Sequence, residues 1–154
     1  MAAYFFDSSA LAKRYINEDG SSWVCGIVAP AAGNDIHVLQ IAEVEVTSAI
    51  VRRRKSGTLS PAAAAAALPQ LRHELANDYL ILDVTDRLLA SAVSLVHAHE
   101  LRAYDAVQLA GAVELNQVRI SGRLTPVTVV SADLDLNAAA QAEGLAVEDP
   151  NTHP

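Results

Sequence analysis

The sequence predicts an α/β fold on a mostly parallel sheet, and three observations carry that expectation. Short apolar runs alternate with longer segments of helical periodicity, the pattern of strand–helix–strand units. The composition is 51% hydrophobic but only 5% aromatic, so the core must be built from Ala, Val, Leu and Ile, which suits helices packed closely on a sheet. The 154 residues show no repeat, linker or break in composition, which predicts one domain with a substantial core.

The elements are taken in chain order. "AAYFF" reads as a short buried strand and "SSALAKRYI" as a helix capped by Asp7 or Ser8. "GSSWVCGIVAPA" predicts a second helix ending around Pro30 and Gly33. "DIHVLQ" is a strand leading into "IAEVEVTSAIVRRRK", a long helix stopped by Gly57. Ser60 and Pro61 mark a helix start, with Pro at the first helical position, and Pro69 is expected to break or kink that helix. "LILDV" reads as a strand, "TDRLLASAVSLVHAHEL" and "AYDAVQLAGAVELNQ" as helices, and "VTVVS" as a strand. "ADLDLNAAAQAEG" is a helix ended by Gly144, and "LAVED" a last strand. The domain is expected to span 1–149, with 150–154 as a loose tail.

Bulk properties exclude several function classes. A net charge of −7 argues against a protein that coats nucleic acid, although not against one that meets it through bound cations. The single cysteine, Cys25, forms no internal disulfide and fits a reducing compartment. The first apolar run reaches only Phe6, too short for a signal peptide, and no stretch approaches the roughly 20 apolar residues of a membrane span. A soluble, cytoplasmic protein is the expectation. The basic run Arg52, Arg53, Arg54 and Lys55 is either a solvated helix end or a contact surface for RNA or an acidic partner.

The informative residues are acids. In parallel sheets ligands bind beyond the carboxyl ends of strands, where strand order reverses. Asp7 follows the first strand and Asp133 follows "VTVVSA". Glu43 and Asp105 lie in apolar helical surroundings, where a charge is costly unless paired or bound to a cation; Arg102 is the available partner for Asp105. Hard divalent ions such as Mg²⁺ take oxygen ligands, and a few carboxylates with water and phosphate suffice. Such a site suits phosphodiester hydrolysis without a nucleophilic side chain.

In these pieces the chain resembles the PIN-domain ribonucleases, particularly the small VapC-type toxins of toxin–antitoxin pairs. The pieces are "FFDSSALAKRY", "LQIAEVEVTSAI", "LRAYDAVQLAGAVE" and "TVVSADLDLNAAAQAEGL", in the family's order and covering most of the chain. The resemblance implies a three-layer α/β/α sandwich around a parallel sheet of about five strands. It implies an endoribonuclease dependent on Mg²⁺ or Mn²⁺, an RNA substrate, a small VapB-like antitoxin partner and a homodimer. Asp7, Glu43 and Asp105 match the three acids that gather the metal, and Asp133 matches a more variable fourth, with Asp135 as its competitor. Ser9 matches a hydroxyl that supports the site, and Ser8 is expected to be a cap. Glu45, two residues from Glu43, points to another helix face and is expected to be exposed or to bind a partner.

Other candidates carry less. His97 and His99 are two apart and do not readily face one metal from a helix; His37 and His73 stand alone. Trp23 and Cys25 read as packing residues, and the alanines at 62–67 as a close helix contact. Lys13 and Arg14 could meet an RNA backbone or simply face solvent. Phosphoryl transfer through a covalent aspartate needs a second Asp two residues after Asp7, where Ser9 stands, and no Gly-rich phosphate loop follows any strand. A free-standing nuclease of the same fold, or a catalytically silent binding module, remain as alternatives.

Overall fold

The computed structural model describes residues 1–153, which form a five-stranded, all-parallel sheet between two layers of helices. In chain order these are β1 (Ala3–Phe6), α1 (Ser8–Leu11), α2 (Ser21–Val28), β2 (Asp35–Leu39), α3 (Ala42–Lys55) and α4 (Pro61–Asn77). Then come β3 (Leu80–Leu82), α5 (Asp86–His99), α6 (Ala103–Ser121), β4 (Thr128–Val130), α7 (Leu134–Ala142) and β5 (Ala146–Glu148). The strand order is β3-β2-β1-β4-β5, so the chain builds outward from β1 on one side and then crosses to the other. The switch point lies between β1 and β4, with Phe6 opposite Val130.

The pleat sorts neighbouring residues into two cores. Phe5, Leu39 and Val129 pack beneath α5, α6 and α7, whereas Phe6, Val38 and Val130 pack beneath α1 to α4. This is the three-layer sandwich expected. Because the strands are short, most of the buried surface comes from Ala, Val, Leu and Ile on the helices, as the composition required. No helix among the described residues is long and apolar enough to cross a membrane.

Three expectations change. The first helix is cut to one turn, continued by a 3-10 turn at Ala12–Arg14, which turns Lys13 inward. Pro69 does not end α4; its ring is exposed while Ala64, Ala67 and Leu71 hold the opposite face against the core. The segment after 149 is docked rather than loose: Pro150 is buried, and the His153 ring stacks on Trp23 with centroids 4.1 Å apart. Gly20 makes room for it, since at φ +81° a Cβ there would lie 2.2 Å from the Pro150 carbonyl oxygen. Pro154 lies outside the described residues.

Candidate functional site

Asp7 ends β1 and caps α1, accepting from the Ser9 amide at 3.1 Å. Its Oδ2 also accepts from the Ser9 hydroxyl and from Ser131 Oγ at 3.3 Å. Ser9 in turn accepts from the Ala132 amide at 3.0 Å, and Ser131 Oγ accepts from the Asp133 amide at 3.1 Å. These hydroxyls stitch the ends of β1 and β4 together beside the switch point. Asp133 sits after β4 as the cap of α7, with Oδ1 accepting from the Leu136 amide at 2.9 Å. Asp105 enters from the first turn of α6.

The glutamate that lines the cleft with these acids is Glu45, not Glu43. Ala42, Val46 and Ile50 form the buried stripe of α3, and the two glutamates flank it on opposite sides, about 200° apart around the helix. Glu43 is 53% exposed and faces α4, 3.9 Å from Arg72. Glu45 is half-buried on the side of β1 and α6, its Oε1 accepting from Gln108 Nε2 at 3.0 Å. Gln108 also donates to Ser8 Oγ at 3.1 Å, so Ser8 is a buried link and not the cap. The expectations for Glu43 and Glu45 are thus exchanged. Asp135 is exposed on α7, and it is Asp133 that borders the cleft.

Asp7, Glu45, Asp105 and Asp133 line one end of an open cleft of about 1120 Å³. Burial pushes the Asp7 carboxyl above its usual range despite its hydroxyl and amide donors, and the Asp105 charge pushes it the same way. Glu45 is raised by burial and then by Asp7 and Asp105, against the opposing pull of Gln108. Asp105 is raised by burial and by Asp133, and Arg102 only partly offsets this. The four acids therefore feel one another, and no cation partners Asp7 or Glu45 among the described residues.

Among the described residues Arg102 is the cation that pairs with acids of this cleft end. Its Nε donates to Asp105 at 3.1 Å and its Nη2 to Asp133 at 3.0 Å. The pairing with Asp105 was foreseeable from sequence; the second arm on Asp133 was not. Arg52 and Arg53 stand at the other end of the cleft, along the same wall of α3, with the exposed ring of Tyr104 at its rim. Lys13 and Arg14 do not contribute free charge: Lys13 is buried on Glu18 at 3.2 Å, and Arg14 is tied to Glu74 at 2.7 Å. His99 pairs with Glu143 at 2.6 Å, outside the cleft.

The donors suit a hard divalent cation. They are carboxylate and hydroxyl oxygens, with no thiol or imidazole among the described residues that line the cleft. Among the described residues no three acidic, histidine or cysteine side chains stand close enough to enclose an ion as they are. The acids would have to draw together, and at Asp105 and Asp133 the guanidinium of Arg102 stands between them.

No protein-family model and no curated protein matches the chain. Solved structures do. It is similar to PAE2754 from Pyrobaculum aerophilum, with a TM-score of 0.64 and 20% identity over 98% of this chain and 85% of that one. It is similar to a chain of VapBC2 from Rickettsia felis bound to a DNA fragment from their promoter, with a TM-score of 0.61 and 14% identity over 96% and 98% of the two chains. A toxin–antitoxin complex from Klebsiella pneumoniae gives a TM-score of 0.54 and 16% identity over 96% and 97%. The chain thus has the fold found in these structures, along nearly its whole length.

Proposed function

We propose that this protein is a divalent-metal-dependent endoribonuclease and the toxin of a toxin–antitoxin pair. The observation that carries the reading is the convergence of Asp7, Glu45, Asp105 and Asp133, from four separate elements, at the switch point of a parallel sheet. Leaving Asp7 ionised, buried and without a cation is costly unless a cation is to be bound. Mg²⁺ or Mn²⁺ is the ion the oxygen donors favour, and Asp7, Glu45, Asp105 and Asp133 are the residues that would hold it. Bound there, such an ion supplies charge neutralisation for a phosphodiester and an acidified water.

The chain's own residues supply the rest. Ser9 and Ser131 fix Asp7 by engaging Oδ2, which leaves Oδ1 for the cleft. Gln108 holds Glu45 by Oε1, which leaves Oε2 free to face the cleft. Arg52 offers a phosphate contact away from the acids, while Arg53 beside it is paired with Glu18 at 2.7 Å, and the Tyr104 ring offers a stacking face for a base, both features of single-strand binding. The likeness to a VapBC2 chain and to a toxin–antitoxin complex supports a small VapB-like antitoxin as partner, and the sequence resemblance to VapC-type toxins is what points to a homodimer.

The test is cleavage of a mixed single-stranded RNA by purified protein with Mg²⁺, with Mn²⁺ and with chelator, beside Asp7→Asn. Cutting that needs the ion and is lost in the variant is the expected outcome. Cutting that persists in chelator, or in Asp7→Asn, would overturn the reading.

A further inference from the structure

Arg102 occupies an unusual position for a surface arginine. Its backbone is well fixed: Glu100 ends α5 in the left-handed region at φ 55°, Leu101 is buried, and Arg102 is the residue before α6. Its side chain, by contrast, is 78% exposed, and its partners are Asp105 and Asp133. It is the N-cap residue of α6, but its side chain makes no capping hydrogen bond, so the arm can leave both acids without loosening the helix start. A firm base with a free arm is what a displaceable group needs.

The two acids differ in what Arg102 takes from them. Asp133 uses Oδ1 on the Leu136 amide and offers Oδ2 to Arg102. Asp105 offers Oδ2 to Arg102 Nε. One planar guanidinium therefore spans two carboxylates through separate nitrogens, with the geometry that makes arginine a carboxylate clamp. A divalent ion on the same pair would require those oxygens.

We infer that Arg102 is a built-in countercation that bridges Asp105 and Asp133 in the ion-free protein and competes with the divalent ion for them. This rests on the reading of the acids as a cation site. Ion binding swings the guanidinium out of the pair into the cleft mouth, where its donors become free for a substrate phosphate. The bridge keeps the two acids from repelling one another while the site is empty, and it raises the ion concentration needed to fill it.

Mn²⁺ binding to the whole protein, measured by calorimetry and by the electron spin resonance of the free ion, tests this. Arg102→Gln, which places an ordinary residue at an ordinary backbone conformation, is expected to bind Mn²⁺ about ten-fold more tightly with unchanged stoichiometry. Arg102→Lys retains the charge but cannot span both acids, and is expected to fall between the two. In the wild type, the nitrogen-15 signal of Arg102 Nε is expected to shift on saturation with Mg²⁺. Affinity unchanged or weakened in Arg102→Gln, Arg102→Lys indistinguishable from wild type, or an Arg102 signal unmoved by Mg²⁺ would each overturn the inference. Absence of Mn²⁺ binding in wild type and Arg102→Gln alike would overturn it differently, by removing the cation site itself.

Discussion

Asp7 and Glu74 are both buried carboxylates, 4% and 7% exposed, and the fold treats them in opposite ways. Glu74, on α4, receives two guanidinium nitrogens of Arg14 at 2.7 and 3.2 Å. It also receives the hydroxyls of Tyr15 and Tyr79 at 2.6 and 2.9 Å and the amide of Gln70 at 3.1 Å. Burial alone would raise its pKa, yet these donors hold it down to about 2. Asp7 has amide and hydroxyl donors but no cation, and burial wins. Glu74 is thus a finished ion pair that ties α4 to the turn after α1. Asp7 is an unfinished one, and it sits at the switch point of the sheet. A buried acid with every partner supplied is structural; one left short of a positive charge is where an external cation belongs.

The sharpest way to break this contrast is to neutralise each acid in turn. Asp7→Asn is expected to lower RNA cleavage at least about a hundred-fold, since loss even of an outer partner of a metal ligand costs about 10–100-fold. Glu74→Gln is expected to leave the rate per folded molecule unchanged, read from cleavage normalised to folded protein. If Glu74→Gln silences cutting as thoroughly as Asp7→Asn, the division between the two acids fails.

Stability separates them next. Glu74→Gln is expected to cost about 2 kcal/mol at neutral pH, measured by urea unfolding. Because the folded pKa of Glu74 lies near 2, below its ordinary 4.5, its contribution is fully present above about pH 5. That contribution is lost as the pH falls towards 2, so the wild-type and variant curves should converge in acid. A gap that stays constant from pH 7 to pH 3 would show that the charge of Glu74 is not what matters.

Glu45 and Glu43 offer a finer comparison on one helix. Glu45→Gln is expected to weaken Mn²⁺ binding about ten-fold, whereas the exposed Glu43→Gln should change stability by no more than about 0.5 kcal/mol and affinity not at all. Equal effects of the two would restore Glu43 to the site. Among the changes that touch the site, the smallest effect is expected from Ser9→Ala, which removes one hydroxyl from Asp7 and one acceptor from the Ala132 amide. It should cost about 1 kcal/mol in urea unfolding, with cleavage reduced but not abolished.

The succession of strands and helices along the chain and the parallel character of the sheet were legible because the signals were local. Asp7, Ser60, Thr85 and Asp133 all cap helices in the structure, each accepting from a backbone amide two or three residues on. Asp7, Asp105 and Asp133 could be picked out because each stands at a strand end or in an apolar helix start. What escaped depends on which way a helix is turned. Glu43 and Glu45 both sit beside the buried stripe of α3, and sequence gives no sign which flank meets α6 and which meets α4. Arg102, Gln108 and Ser131 act across the sheet ends, through contacts 31, 63 and 124 residues apart in the chain. The inward turn of Lys13 and the docking of 150–153 likewise depend on partners outside their own segments, Asp19 and Trp23.

Thermal unfolding of wild type and Asp7→Asn at neutral pH, each with chelator and with Mg²⁺, tests the central claim most directly. Because the raised pKa of Asp7 means that its charged form weakens the ion-free fold, Asp7→Asn should melt above wild type in chelator. Mg²⁺ should raise the wild type, by about 2.7 kcal/mol at a hundred times its dissociation constant, and leave the variant nearly unmoved. A variant that melts below wild type in chelator, with both proteins equally indifferent to Mg²⁺, would contradict the account.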